Sequence, residues 1–230
     1  MIIKNFLLYI AIFSIPYSTS ILSKTPAIIE LNKGNQYEYK SAIVKDGNIY
    51  VVYHNGKQKQ LTFNGSDEKP ILIAEKNFIV FVRDVQEIGI NHKYIRKKLM
   101  SVSIDDMNEL LITEKKLYKD GNDQSYEIFN IDNPTLSLDR KSIYFTTEKW
   151  VTANQLVKVH IEGGRWQELF SANNFTLIKK GSNRGNFLIA KSEIRDKGRA
   201  IYYSLVDENG KVKKEFLNQR MAEQFLTSVQ

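Results

Sequence analysis

Residues 133–145 read NPTLSLDRKSIYF, and residues 69–81, KPILIAEKNFIVF, follow the same plan. In each copy a proline precedes a short apolar run, and a polar turn then leads into a second apolar run. Two short apolar runs around a polar turn are typical of paired antiparallel strands. The pattern therefore predicts a repeated pair of strands. Four positions match at a constant offset of 64 residues: Pro70 with Pro134, Leu72 with Leu136, Ile79 with Ile143, and Phe81 with Phe145.

A hairpin recurs four times along the chain. In its first copy, the β-branched and aromatic run at 49–53 is followed by Asn55 and Gly56, which favour a tight hairpin turn. A lone hairpin cannot bury its own face, and repeats of about 50 residues indicate stacked propeller blades. We therefore expect an all-β fold, a small or partial β-propeller of about four (or five) four-stranded antiparallel blades over residues 26–217. The four copies begin 50, 57 and 45 residues apart, at Ile49, Leu99, Leu156 and Ile201.

These stretches also resemble a known repeat. The run GNIYVVYHNGKQKQLTFNGSD at 47–67, followed by Pro70, and the run at 133–145 are similar to the repeats of TolB-type β-propellers, a WD-repeat-like family. Leu138 stands where the family's turn has proline, and Arg140 where it has glycine. The resemblance implies a periplasmic protein that docks on envelope proteins. A closed small ring, an open arc of blades and a ring completed in a homodimer all remain open.

The two ends of the chain have patterns of their own. Residues 1–20 combine Lys4, an apolar run of about ten residues and small residues before Ser20, which predicts an export signal cleaved after Ser20 or, as second choice, Ser23. The alternative is a membrane anchor, but a spanning helix needs about 20 apolar residues. At 218–230, apolar residues recur at roughly helical spacing, which predicts a short helical tail that caps the array. We therefore expect a periplasmic or secreted protein with no stable membrane span after cleavage.

Composition restricts the chemistry. The absence of cysteine excludes disulfides, thiolate metal sites and a cysteine nucleophile, and the net charge of +7 is too small and scattered to define a nucleic-acid binder. The three histidines, His54, His92 and His160, lack metal-binding spacing, and no G-x-S-x-G motif is present. We therefore expect no metal site, no cofactor and no nucleic-acid partner.

Candidate binding residues come from two connections. The segment 84–97 is long for a hairpin connection, and 148–152 is its equivalent in the next repeat, so both would rim one face of the array. Basic and aromatic residues there can bind an acidic partner. The alternative is that the basic residues form a solvated charged turn and the aromatic residues cover the edge of the core. The candidate binding residues are Arg83, Asp84, Lys93, Tyr94, Arg96, Glu148 and Trp150.

We expect a binding or scaffold protein rather than an enzyme, with a protein or peptide of the cell envelope as its partner. One alternative is a carbohydrate-active hydrolase with two carboxylates at the propeller mouth. Another is a structural subunit of a larger envelope assembly. The acids considered for the hydrolase are Asp84, Glu87, Asp132, Asp139, Glu148 and Glu193.

Overall fold

The computed structural model describes residues 38–88, 93–113, 116–117, 125–126, 130–150, 153–195 and 198–229. Within them the chain forms antiparallel sheets that follow one another along the sequence, and one helix. Four of the sheets in the described residues have three or four strands in chain order, and each of these is one blade. The predicted all-β fold, a partial propeller of about four blades with a short C-terminal helix, is confirmed. In the described residues the first blade has three strands instead of four.

The strands have the following bounds. Blade 1 consists of β1 (Tyr39–Lys45), β2 (Asn48–Tyr53) and β3 (Gln58–Gln60). Blade 2 consists of β4 (Asp67–Ile73), β5 (Phe78–Ile88), β6 (Lys93–Ser103) and β7 (Glu109–Leu111), with a 3₁₀ turn (Ala74–Lys76) after β4. A two-stranded sheet follows, β8 (Lys116–Leu117) and β9 (Ser125–Tyr126). Blade 3 consists of β10 (Asp132–Leu136), β11 (Ser142–Trp150), β12 (Ala153–His160) and β13 (Trp166–Ser171). Blade 4 consists of β14 (Asn174–Leu177), β15 (Phe187–Arg195), β16 (Gly198–Val206) and β17 (Val212–Phe216), and helix α1 (Gln219–Val229) follows it.

The core lies between the blades. Side chains alternate across a strand, so in β5 Ile79 and Phe81 pack into the cluster shared with blade 1, whereas Val80 and Val82 pack into the cluster shared with blade 3. All four are fully buried. Burying such side chains contributes about 1.5–3 kcal/mol each, so stacking supplies the stability that one sheet lacks. This two-sided burial explains why the apolar runs are continuous instead of alternating.

The two repeated prolines lie at matching irregularities. Pro70 follows Lys69, which has φ 53°, and Pro134 follows Asn133, which has φ 51°. At both places the pairing of the blade's first strand with its second shifts register. Proline cannot donate to a ladder and is confined to edge strands and bulges. The constant 64-residue offset therefore marks the same bulge in the inner edge strand of two blades.

The turn between first and second strands also repeats. Arg140 (φ 60°) and Asn77 (φ 59°) both take the left-handed conformation that glycine favours. Arg140 uses the position to reach blade 2, where its guanidinium donates to Glu75, at 2.9 Å from Nη2 to Oε2. The hydrogen bond from Arg140 lowers the pKa of the Glu75 carboxyl. An arginine in the glycine position thus contributes an ion pair between two blades.

Helix α1 covers the last blade. Leu188, Leu205 and Phe216 project from blade 4 on the side away from blade 3, and Ala222 of α1 is buried against them. Asn218 caps the helix by accepting a hydrogen bond from the Met221 amide at 3.0 Å. A helix of 11 residues is marginal alone, so packing on blade 4 stabilises it.

Candidate functional site

The sequence-predicted rim residues lie mostly on extended hairpins. β5 and β6 pair continuously from Phe78 with Ser103 to Ile88 with Lys93, so most of the segment that was expected to be an insertion is a two-stranded ribbon. Its tip, residues 89–92, lies outside the described residues. The β11–β12 hairpin of blade 3 and the β15–β16 hairpin of blade 4 correspond to this ribbon. Each connects the second and third strands of its blade, at the same end of the blade as the β5–β6 connection.

One face of the blade 2 ribbon is held by ion pairs. Glu87 accepts from Lys98 at 2.8 Å and lies 3.1 Å from Arg96. The Arg96 guanidinium lies 4.9 Å from the centre of the Tyr94 ring. The Lys98 hydrogen bond lowers the pKa of Glu87. The structure thus brings Tyr94 and Arg96 together, but in contacts that the ribbon makes with itself.

Asp84 and Lys93 lie on the opposite face of this ribbon. The Asp84 carboxylate is 3.7 Å from the ammonium of its cross-strand partner Lys97, and Lys93 is exposed beside Ile88. Lys97 also donates to Glu68, which raises the pKa of Lys97. Among the described residues of this face, Lys93 is therefore the one exposed cation.

Arg83 has an interior position. It is 9% exposed, and it donates from Nε to Asp67 Oδ1 at 2.6 Å and from Nη2 to Asp67 Oδ2 at 2.9 Å. Glu109 on β7 accepts from the same guanidinium at 3.0 Å. Burial lowers the pKa of Arg83, but the hydrogen bonds with both carboxylates outweigh it and the net shift is upward. Arg83 is therefore not the surface group that a rim binding residue would need to be, because it joins the inner and outer strands of blade 2.

The two remaining candidates, Glu148 and Trp150, lie on β11 of blade 3. Glu148 is exposed and accepts from Asn130 Nδ2 at 2.7 Å. Trp150 pairs with Ala153 along the backbone, and its side chain lies outside the described residues. Among the residues described, no three histidine, aspartate or glutamate side chains form a group that could hold a metal ion.

A second site, not predicted from the sequence, lies where the inner strands of three blades meet. β4, β10 and β14 each form the first edge of their sheet, and β10 contacts both of the others. Between them is an open cavity of about 820 Å³, which we call the inner cavity. Its lining consists of Lys69, the segments 132–135 and 174–180, and Leu226 and Val229 of α1.

The inner cavity is basic. Lys69 donates to Asp132, and this hydrogen bond lowers the pKa of the Asp132 carboxyl. Asp132 is the one carboxylate among the described lining residues. Lys179 and Lys180 are exposed, and no carboxylate of the described chain lies within ion-pair distance of either. The described lining thus carries two uncompensated cations and lacks the two carboxylates that a glycoside hydrolase needs.

The three inner strands differ in how their free edges are protected. β4 and β10 carry the proline bulges described above, which blunt an edge against further pairing. β14 has no proline, and its pairing with β15 is regular throughout. Asn133 Nδ2 donates to the Phe175 carbonyl at 2.7 Å, so that carbonyl points to the cavity side. The Phe175 amide donates to Asn174 Oδ1 at 2.8 Å, so both main-chain groups of Phe175 already have partners. Since main-chain groups alternate along a strand, those of Leu177 point to the same side.

No protein-family model matches this chain, and no curated protein matches it. Among solved structures it is similar to TolB from Acinetobacter baumannii, with 14% identity and a TM-score of 0.43, over 72% of this chain and 36% of that one. It is also similar to Porphyromonas gingivalis dipeptidyl peptidase 4, with 13% identity and a TM-score of 0.48, over 77% of this chain and 31% of that one. The chain thus spans about a third of each protein. No helix in the described part of the chain is long and apolar enough to cross a membrane.

Proposed function

We propose that this chain is a non-catalytic binding protein that holds an extended, acidic peptide segment of a protein partner in the inner cavity. The observation that carries the proposal is the edge of β14 at Leu177, whose main-chain groups point away from β15, beside two lysines that pair with no carboxylate of the described chain. A peptide can add to a free strand edge through main-chain hydrogen bonds, with pockets for alternate side chains. β14 offers such an edge with the main-chain groups of Leu177, next to Lys179 and Lys180.

Charge and size both support a peptide ligand. Carboxylates form charge-assisted hydrogen bonds with lysine, which are about twice as strong as neutral ones. Ligand pockets generally have volumes of about 300–1,000 Å³, and the inner cavity falls within this range. Its apolar lining, including Pro134 and Leu226, gives alternate side chains of an extended segment a surface to pack on.

We further propose that the protein acts outside the cytoplasm, in the periplasm or as a secreted protein, after cleavage at Ser20. The support is the basic, apolar and small-residue pattern of residues 1–20. In that compartment the partner would be an envelope protein that presents an acidic extended segment. The exposed Lys93 of the blade 2 ribbon offers an additional contact at one end of the blades.

The test is a fluorescence anisotropy titration with two labelled hexapeptides, one alternating aspartate with leucine and one alternating lysine with leucine. We expect the acidic peptide to bind and the basic one not to. A double variant, Lys179→Gln with Lys180→Gln, should weaken the acidic peptide about tenfold or more, since each charge-assisted bond is worth about 1.5–3 kcal/mol. Equal affinity for both peptides would overturn the proposal.

A matched control changes the same charge elsewhere. Lys57 and Lys211 are exposed and lie outside the inner-cavity lining. The double variant Lys57→Gln with Lys211→Gln also removes two positive charges, so it tests whether net charge alone attracts the peptide. We expect its affinity to stay within about twofold of the wild type, since exposed distant charges are screened by salt.

A further inference from the structure

A smaller cleft adjoins the inner cavity on blade 4. It measures about 180 Å³ and lies between the sheet and α1. Three residues of β14 (174–176) line both spaces, and of the residues of α1 only Leu226 does so. Leu226 therefore stands at the boundary between the two.

The cleft is mostly apolar, with polar groups at one end. Leu188 and Ala222 contribute to its walls, and both are almost fully buried. At the polar end the Tyr203 hydroxyl lies 3.2 Å from Gln219 Oε1, and Gln219 in turn donates to Glu223 at 2.7 Å. These polar side chains form hydrogen bonds with one another. The rest of the cleft wall is therefore suited to an apolar group of a ligand.

We infer that Leu226 is a specificity-determining residue: it limits the cleft to one medium-sized apolar side chain of the segment bound in the inner cavity. The inference rests on the proposed peptide binding. Side chains of an extended peptide alternate, so one that points from the β14 edge toward α1 reaches the cleft at Leu226. The next side chain points the other way, toward the basic part of the cavity. The preferred ligand thus combines a carboxylate with an apolar neighbour.

Because Leu226 lies on α1 and not on a strand, its side chain can be changed in size without changing the sheet. α1 contacts β16 and β17 and is stabilised by packing, with Phe225 near Phe216 at 5.2 Å between ring centres. A change in side-chain size at Leu226 can therefore alter the boundary without altering the strands that form the cavity.

The experiment compares acidic hexapeptides in which aspartate alternates with alanine, leucine or tryptophan. For the wild type we expect leucine to bind about tenfold more tightly than alanine, and tryptophan to bind less tightly than leucine. Leu226→Ala should reverse the order of tryptophan and leucine, because the cavity and the cleft merge. Leu226→Phe should fill the cleft and bring the leucine and alanine peptides within about twofold of each other.

Val229 supplies the matched control, because it lines the inner cavity but not the cleft. Val229→Ala should change the affinity for all three peptides by a similar factor and leave their order intact. Thermal melting checks that each variant is folded, and Leu226→Phe keeps the test decisive if Leu226→Ala loosens α1.

The outcomes separate the two proposals. If the wild type binds none of the acidic peptides, the proposed function fails. If it binds them but the order is the same in wild type, Leu226→Ala and Leu226→Phe, the role of Leu226 is overturned while the proposed function stands. Amidated and free-carboxyl forms of the leucine peptide show whether a side-chain or a terminal carboxylate is bound.

Discussion

Replacing Arg83 by methionine should destabilise the fold far more than the same replacement on the surface. Arg83 is 9% exposed and Asp67 is 2% exposed, and the guanidinium donates to both Asp67 oxygens at 2.6 and 2.9 Å. Methionine fills much of the space but leaves a buried carboxylate without its cation. Breaking a buried pair in this way costs about 3–5 kcal/mol.

The surface comparison is Arg140→Met. Arg140 also forms a two-pronged pair, with Glu75, but half of its side chain is exposed. Exposed pairs contribute about 0–1 kcal/mol. Urea unfolding at pH 7, followed by circular dichroism, gives the free energy of unfolding for both variants on one scale.

A triple variant distinguishes charge burial from loss of packing. Combining Arg83→Met with Asp67→Leu and Glu109→Gln removes the stranded charges along with the cation. We expect it to be more stable than Arg83→Met alone, because apolar groups of similar volume often replace a buried ion cluster at little cost. The reasoning is refuted if Arg83→Met costs no more than Arg140→Met.

Four further predictions concern the fold and processing. Gly47→Ala should destabilise strongly, because a Cβ there would lie 2.3 Å from a carbonyl oxygen, whereas Gly56→Ala has open space and should cost only about 1 kcal/mol; urea unfolding compares them. The pKa of Glu75 is lowered by Arg140, so the stability that the pair adds is present at neutral pH and is lost as the pH falls through that lowered value; the gap between wild type and Glu75→Gln in urea should close in acid and persist at pH 7. Deleting α1 should expose the apolar outer face of blade 4 and cause self-association in light scattering, and a monodisperse deletion variant would contradict its covering role. Protein recovered after export should begin at Ile21 by mass spectrometry, and an intact N-terminus would disprove cleavage at Ser20.

The fold was predictable because its determinants are local. Runs such as 49–53 with Asn55 and Gly56 specify hairpins, and the 64-residue offset specifies equivalent strands. The C-terminal helix was also visible in the spacing of its apolar residues. The bulges at Lys69 and Asn133 were not predicted, because a residue before proline is normally extended, whereas both of these have a positive φ.

The candidate site was much less predictable. Arg83 is 16 residues from Asp67 and 26 residues from Glu109 in the sequence. The three side chains meet only because three strands of one sheet bring them together.

The inner cavity combines residues from three blades and a helix. One signal could have found it: Pro70 and Pro134 mark inner strands, so the residues beside them face the centre of the array. Arg83 was misassigned to the surface because a charged residue at a strand end is usually exposed.

The central claim is that a peptide pairs with the edge of β14 at Leu177, and amide hydrogen exchange measured by NMR tests it most directly. The experiment adds the acidic aspartate–leucine hexapeptide to the full chain and follows individual amides. The Leu177 amide points to the inner cavity and should exchange more slowly on binding. The amide of Ile189, in the interior of blade 4, should stay unchanged. Saturating peptide that leaves the Leu177 amide exchanging at its free rate would contradict the claim.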